Sequence, residues 1–409
     1  MTEWHPAELG SCVHTQKGYA FKSGWYCSDG RRIVKVSNFT DDSVDWTDLI
    51  CIPETIAADY LKYALSAGDV VLQTVGSWPN NPASVVGKCV SIPSNAAGSL
   101  LNQNAVKLSP IAGLDRTFLF YLLRGEDFKT YIIGTAQGAA SQAAITLDAI
   151  RSYRFSRPPL PTQQRIASIL SAYDELIENS QRRIKILETM ARGLYREWFV
   201  HFRFPGHENH PRVASALGEI PQGWEVKKLK DVCLLTMGQS PKSEFYNEVG
   251  DGVPFHQGVT DFGGRFPSDR LFCTAAGRIA EAGDILFSIR APVGRMNIAN
   301  KRIILGRGLS AIRYNEGSQA FLWEQLRSRF TKDDMMGNGA IFASVTKDDM
   351  QGIELVCPTQ SVVEAATRHF EPLHSEIATL SQQIQNLRRT RDLLLPCLLS
   401  GQILLPEAK

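Results

Sequence analysis

Two apolar stripes, about 200 residues apart, constrain this chain more than any other feature. In the stretch 158–210, Tyr173, Ile177, Ser180, Ile184, Leu187, Ala191, Leu194 and Trp198 fall at alternating spacings of four and three. That is a heptad seam. The prolines at 158, 159 and 161 close whatever precedes it, and Thr162 is a fair N-cap for a helix over 162–199, roughly 55 Å long at about 1.5 Å per residue. Near the C-terminus, Phe370, Leu373, Ile377, Leu380, Ile384, Leu387, Arg391, Leu394 and Leu398 repeat the spacing, and Gly401 follows as a stop. A helix that long cannot bury its own stripe, so each predicts the other as its partner, parallel or antiparallel. Polar Ser180 and charged Arg391 on the seams cost stability and fix register.

The stripes belong to a larger repeat. W-H-P-A-E-L at 4–9 is echoed by W-E-V-K-K-L at 224–229, and K-G-Y-A-F-K-S at 17–23 by M-G-Q-S-P-K-S at 237–243, both at an offset of 220. S-A-G-D-V-V-L at 66–72 matches E-A-G-D-I-L-F at 281–287 at 215. I-T-L-D at 145–148 matches V-T-K-D at 345–348 at 200, and P-T-Q at 161–163 matches 358–360 at 197. The offset only shrinks along the chain, as in a duplicated unit with loop deletions. Short apolar or alternating runs at 32–37, 69–75 and 284–289, bounded by Gly, Asn and Pro, read as strands, and 116–124 and 320–330 as short helices.

The fold class is therefore α+β: two β-rich domains, each followed by a long helix, the helices pairing as a coiled-coil spacer with pseudo-two-fold internal duplication. The expected boundaries are a first domain at 1–157, a central helix at 158–204, a linker at 205–223, a second domain at 224–357, and a C-terminal helix and tail at 358–409. A chain of 409 residues exceeds one ordinary core, and 44% hydrophobic with 21% charged residues is a soluble globular composition. No apolar run approaches the ~20 residues of a membrane span and residues 1–6 lack signal-peptide character, so a cytoplasmic location without membrane contact is expected. Eight scattered cysteines without C-x-x-C read as reduced thiols, and no metal site is expected.

No catalytic constellation stands out: there is no phosphate loop, no dinucleotide fingerprint and no H-E-x-x-H. N-N-P-A at 80–83 lacks the second proline and aromatic of an amino-methyltransferase motif and reads as a turn. His201, His207 and His210 lie in a Pro/Gly-broken stretch and read as solvated linker. Glu225-Val-Lys227 lacks the Pro-Asp partner of a nuclease motif. Charge placement is more informative than the net charge of +2. From 285 to 315 there are six basic residues and no acid, and 70–114 is equally acid-free but rich in amides. Arg and Lys neutralise phosphate; Arg can bridge guanine, and Asn or Gln adenine. Ordinary solvated loops would show the same composition, but equivalent acid-free faces in a duplicated unit fit two DNA-reading surfaces better. Tyr19, Trp25, Tyr26, Phe245, Tyr246 and Phe262 lie nearby and would add stacking or core.

L-Y-R-E-W-F at 194–199, F-R-F-P-G at 202–206 and L-G-E-I-P-Q-G-W-E-V-K-K-L at 217–229 resemble the central region of specificity subunits of type I restriction–modification systems. The stretch from Gln137-Gly138 through Leu147 to P-P-L-P-T-Q-Q at 158–164 is similar to the end of a target-recognition domain in that family, and 387–396 with L-L-S-G at 398–401 to its C-terminal helix. The second unit departs from this in having only C-P-T-Q at 357–360. The resemblance implies a non-catalytic subunit that binds double-stranded DNA, each domain reading half of a bipartite, gapped site. It also implies binding to two methyltransferase subunits and, through them, motor-nuclease subunits. No cofactor is expected on this chain; its partners would use S-adenosylmethionine, ATP and Mg. Alternatives are a specificity subunit of a fused nuclease–methyltransferase system and a scaffold that binds no DNA.

Charge and repeat position nominate Lys17, Lys22, Gln73, Asn80, Lys88, Asn102, Asn104, Gln239, Lys242, Arg290, Arg295, Lys301, Arg302 and Arg307 for DNA contact. Tyr173, Ile177, Ile184, Leu187, Leu194, Leu373, Ile377, Leu380, Ile384, Leu387 and Leu394 are nominated for the coiled-coil seam.

Overall fold

The computed structural model describes residues 4–47, 49–79, 85–139, 142–315, 317–330, 335–336, 340–341 and 344–403. The chain divides into two compact units, Met1–Ile177 with Asn386–Lys409, and Glu178–Gln385. Both expected long helices are present, Leu160–Tyr195 and Gln360–Leu399. The first continues through a π-helical turn, Arg196–Val200. Each helix gives one part to the first unit and the rest to the second, so the units cut across the boundaries expected from sequence.

In the first unit, Val13–Lys17, Ala105–Pro110, Val70–Gln73 and Cys89–Ser91 form a four-stranded antiparallel sheet in that order. Arg31–Val34 pairs antiparallel with Cys51–Ile52 and parallel with Leu100–Leu101. His5–Glu8 and Arg154–Arg157 close the unit as a separate pair. The second unit repeats each feature. Cys233–Met237, Leu309–Tyr314, Ile285–Ser288 and Met296–Ile298 give the same sheet order, Val253–His256 runs parallel to Ile303–Leu305, and Glu225–Lys228 pairs with Glu354–Cys357.

The repeated motifs explain why both halves fold alike. In S-A-G-D and E-A-G-D the aspartate accepts from the backbone three residues back, Asp69 from Ser66 and Asp284 from Glu281, each at 2.8 Å. The intervening Gly68 and Gly283 hold φ near +78° and +90°, which favours glycine. Asp69 then faces Lys107 at 3.6 Å and Asp284 faces Arg313 at 2.6 Å. Thr146 and Thr346 cap equivalent short helices, accepting from Ala149 and Asp349. Leu9 N–H donates to the Tyr153 carbonyl and Leu229 N–H to that of Ile353, again at matched positions.

Three expectations change. The first long helix begins at Leu160, placing Thr162 inside the first turn. Gln163 N–H donates to the Pro159 carbonyl, and Pro161 has no N–H to leave orphaned there. Second, the 205–223 segment carries structure of its own: Arg212–Ser215 and Gly218–Pro221 form a hairpin. It is held because Phe204, Ile220 and Trp224 are buried with Tyr195, Trp198, Phe199, Phe321 and Phe370, an aromatic cluster large enough to order the segment. Third, the first helix is part of the first unit's core: Ile166, Ala167 and Leu170 pack with Phe118, Leu119, Leu122, Phe128 and Leu398.

The helices run antiparallel within each unit. In the first, Leu398 joins Ile166 and Leu170, and Arg391 meets Asp174. In the second, Arg183 meets Glu376 at 2.6 Å while Ala191 and Tyr195 pack with Ala366 and Phe370. The nominated seam residues are buried or half-buried throughout. Arg391 is itself buried and gives one N–H to Asp174 at 2.5 Å; the other Asp174 oxygen accepts from the Tyr121 hydroxyl at 2.5 Å. Burial and the adjacent Asp174 carboxylate push the Tyr121 phenol upward, so it stays a donor. Arg391→Ala leaves this half-buried carboxylate without its cation and is expected to cost about 1–3 kcal/mol in chemical denaturation; a loss under about 0.5 kcal/mol would reduce the pair to a surface contact.

A second buried polar group ties a loop of the second unit to its helices. Arg265 lies over the Trp323 ring and donates to His374 Nδ1 at 2.5 Å. Since Arg can only donate, Nδ1 accepts and Nε2–H donates to Glu324 at 3.0 Å. Burial, then Arg265, pull His374 below its usual value, and Glu324 opposes them; burial also pulls Arg265 down to about 10. The folded state holds neutral His374 while the unfolded chain takes up its proton near pH ~6.5. Stability is therefore lost as pH falls through and below that value. The melting temperature of His374→Gln is expected to fall less than that of the parent protein between about pH 7 and pH 5; parallel curves would remove His374 from the linkage.

Candidate nucleic-acid interface

The acid-free stretches are less positive in space than in sequence. Lys301 pairs with Asp269 at 2.6 Å, Arg302 with Glu281 at 3.7 Å and Arg313 with Asp284 at 2.6 Å, all acids that precede residue 285. Arg290 and Arg307 are exposed and make no ion pair among the described residues, and Arg295 is exposed too. In the first unit Lys17 and Lys22 are exposed, the latter 5.3 Å from the Trp25 ring centre, and Lys88 is half-buried with its ammonium against the Phe39 carbonyl. Lys242 is exposed, 3.8 Å from Glu244.

Two nominated amides are closed off from any surface ligand. Gln73 is fully buried, its amide donating to the Val75 carbonyl, and Asn102 is buried with its side chain accepting from Gln103 N–H. A strand residue alternates faces, and amide content alone does not say which face is inward. Asn104 is half-buried at φ +70°, where its role is to turn the backbone. Asn80 lies outside the described residues, as does the rest of N-N-P-A. His207 and His210 pack edge-on against Phe204.

The repeat places one loop pair identically in each unit. Gly18 N–H donates to the Ala105 carbonyl and Gly238 N–H to that of Leu309; the next residues, Tyr19 and Gln239, donate to Leu101 and Leu305. A methyl on Gly18 would meet the Asn102 carbonyl oxygen at 1.8 Å, and one on Gly238 that of Gly306 at 2.2 Å, so only glycine permits these approaches. Beside them, Thr74 donates to Asn104 and Ile289 to Gly308. The bridges Ala64 to Leu100 and Ile279 to Ile304 complete the match. By this register Tyr19 corresponds to Gln239, Tyr63 to Arg278 and Gln103 to Arg307.

The side chains at these matched positions differ. Tyr19 lies 4.5 Å from Tyr60 and 5.4 Å from Tyr63 between ring centres, with Lys62 beside Tyr63. In the second unit Gln239, Ser240, Pro241, Ala276, Gly277 and Arg278 line a cavity of about 360 Å³, and the Ser240 hydroxyl accepts from Arg307 N–H. Sequence reasoning missed Tyr63 and Arg278, which lie outside the acid-free stretches; only strand register brings them to the loop. The arrangement sets polar and aromatic groups side by side at each loop, and among the described residues it assembles no nucleophile–base pair. Among the described residues no group of three or more His, Cys, Asp or Glu is placed to hold a metal, and no helix is long and apolar enough to cross a membrane.

A family model described as the type I restriction modification DNA specificity domain matches residues 1–189 and 221–387. The chain is 29% identical over 379 residues to the putative type I restriction enzyme MjaX specificity subunit of Methanocaldococcus jannaschii, covering 91% of this chain and 87% of that one. It is 23% identical to the type I restriction enzyme HindI specificity subunit of Haemophilus influenzae, over 84% and 88%. The solved structure of a type I restriction-modification system S subunit from M. genitalium superposes with a TM-score of 0.59 at 16% identity, covering 100% and 97%, a likeness of fold. With both halves matched and both halves built on one frame, the chain belongs to the type I restriction modification DNA specificity family.

Proposed function

We propose that this chain is the DNA-reading subunit of a type I restriction–modification complex. Each unit reads one half of a two-part, gapped sequence in double-stranded DNA. Methyl transfer to adenine and cleavage belong to partner methyltransferase and motor-nuclease subunits, which would bring S-adenosylmethionine, ATP and Mg. The observation that carries this reading is the pair of matched loops: one hydrogen-bonded frame, built twice, carries different side chains at the same positions, half-buried tyrosines and an exposed amide in one unit and three exposed polar groups in the other. A duplicated enzyme would be expected to repeat its functional residues, whereas a reader of an asymmetric sequence must vary them. The long helices then act as spacer, because readings on one face of B-DNA recur about every 34 Å.

Base-by-base methylation mapping in cells co-expressing the chain with its methyltransferase subunit is expected to give a two-part motif with a fixed gap. A helical turn inserted after Ser180 should change the gap or abolish modification. An unmethylated genome from an assembled, soluble complex would reject the reading. In binding measurements on the complex, Arg290→Ala with Arg307→Ala should weaken affinity and lower the slope of log K against log salt by up to about two; an unchanged slope would take both residues off the DNA.

A further inference from the structure

We propose that the second unit reads purine edges of its half-site through Gln239, Arg278 and Arg307, while the first reads its half with Tyr19, Tyr63 and Gln103 at the same three places. This deepens the specificity reading and rests on it.

The three pairs are matched by strand register, not by side-chain likeness. Tyr19 and Gln239 each donate their backbone N–H to the same point of the frame, Leu101 or Leu305. Tyr63 and Arg278 directly precede the matched bridges Ala64 to Leu100 and Ile279 to Ile304. Gln103 and Arg307 sit one residue before the carbonyls that accept Thr74 and Ile289.

In the second unit all three side chains are exposed, and neither arginine has a carboxylate partner among the described residues. Arg307 is displayed between two glycines that admit no side chain. A methyl on Gly306 would lie 2.6 Å from Gln257 Cα, and one on Gly308 2.5 Å from the Gln257 carbonyl oxygen. The backbone under Arg307 is thus pinned while its side chain is free. Gln239 and Arg278 face a shared open cavity. The Arg307 backbone N–H donates to the Ser240 hydroxyl of that cavity, and an amide and two guanidiniums on these joined loops suit the acceptor and donor pattern that purines show in the major groove: Gln pairs with adenine N6 and N7, Arg with guanine O6 and N7. The first unit fills the same place with half-buried tyrosines in tilted ring contact and one exposed amide. Aromatic carbon suits apolar contact with a base and supplies no bidentate donor pair.

The test uses the full chain in its methyltransferase complex, with Gln239→Ala, Arg278→Ala and Arg307→Ala made singly. Unchanged melting temperature and assembly verify the fold. Methylation is mapped base by base, and binding is measured at constant salt on the cognate duplex and on duplexes changed at each purine of the two half-sites. The expected result is one half of the motif intact and the other relaxed at one or two purines, with discrimination there falling roughly tenfold or more. Equal weakening on every duplex would assign a residue to phosphate and overturn its part here, and an unchanged motif in all three variants would overturn the whole. A parent complex that marks no two-part motif rejects the specificity reading itself, which is a distinct result.

Discussion

Every other feature depends on the need of each long helix to cover its apolar stripe. A lone helix of 36 or 40 residues with one such stripe would leave it in water. Each stripe is therefore divided. Part of it enters the core of a β-rich body and part faces the other helix. In the first unit this brings residues 386–403 back onto a core that the first third of the chain began, and the buried Arg391 finds the half-buried Asp174 carboxylate there. Polar pairs at such points cost desolvation, yet they single out one register among the many a repeating apolar stripe permits.

The repeat was legible because the residues that define it are those the backbone cannot do without. Gly18 and Gly238 stand where a carbonyl passes too close for a side chain, and Gly68 and Gly283 where φ is positive. Asp69 and Asp284 close their turns, and Thr146 and Thr346 cap their helices. The short helices at Arg116–Arg124 and Gln319–Arg329 were legible from their apolar pattern and the breaks around them.

What sequence left hidden is spatial. Gln73 and Asn102 have the composition of a reading surface, yet they point inward, because strand alternation decides exposure and short strands leave its phase open. The acid-free run around Arg302 and Arg313 is neutralised by acids that precede it in sequence and meet it only across strands. Tyr63 and Arg278 carried no signal at all until the pairing of strands set them beside Tyr19 and Gln239. The hairpin after the first long helix has no strand signature in the sequence, since Pro and Gly punctuate it as a turn; its order rests on the buried aromatics beside it.

The pinned loops have a consequence for how such a chain can change over generations. Their bases are held by backbone hydrogen bonds and by glycines that tolerate no replacement, so little about folding depends on the exposed side chains at their tips. Under the proposed specificity reading, variation at the exposed Gln239, Gln103 or Arg307 is close to silent for stability and loud for recognition, whereas Tyr19 also packs against Phe21, Tyr60 and Tyr63. On that reading a lineage could try new target sequences at the cost of a single codon, in one half of the site at a time, while the helices stay unchanged.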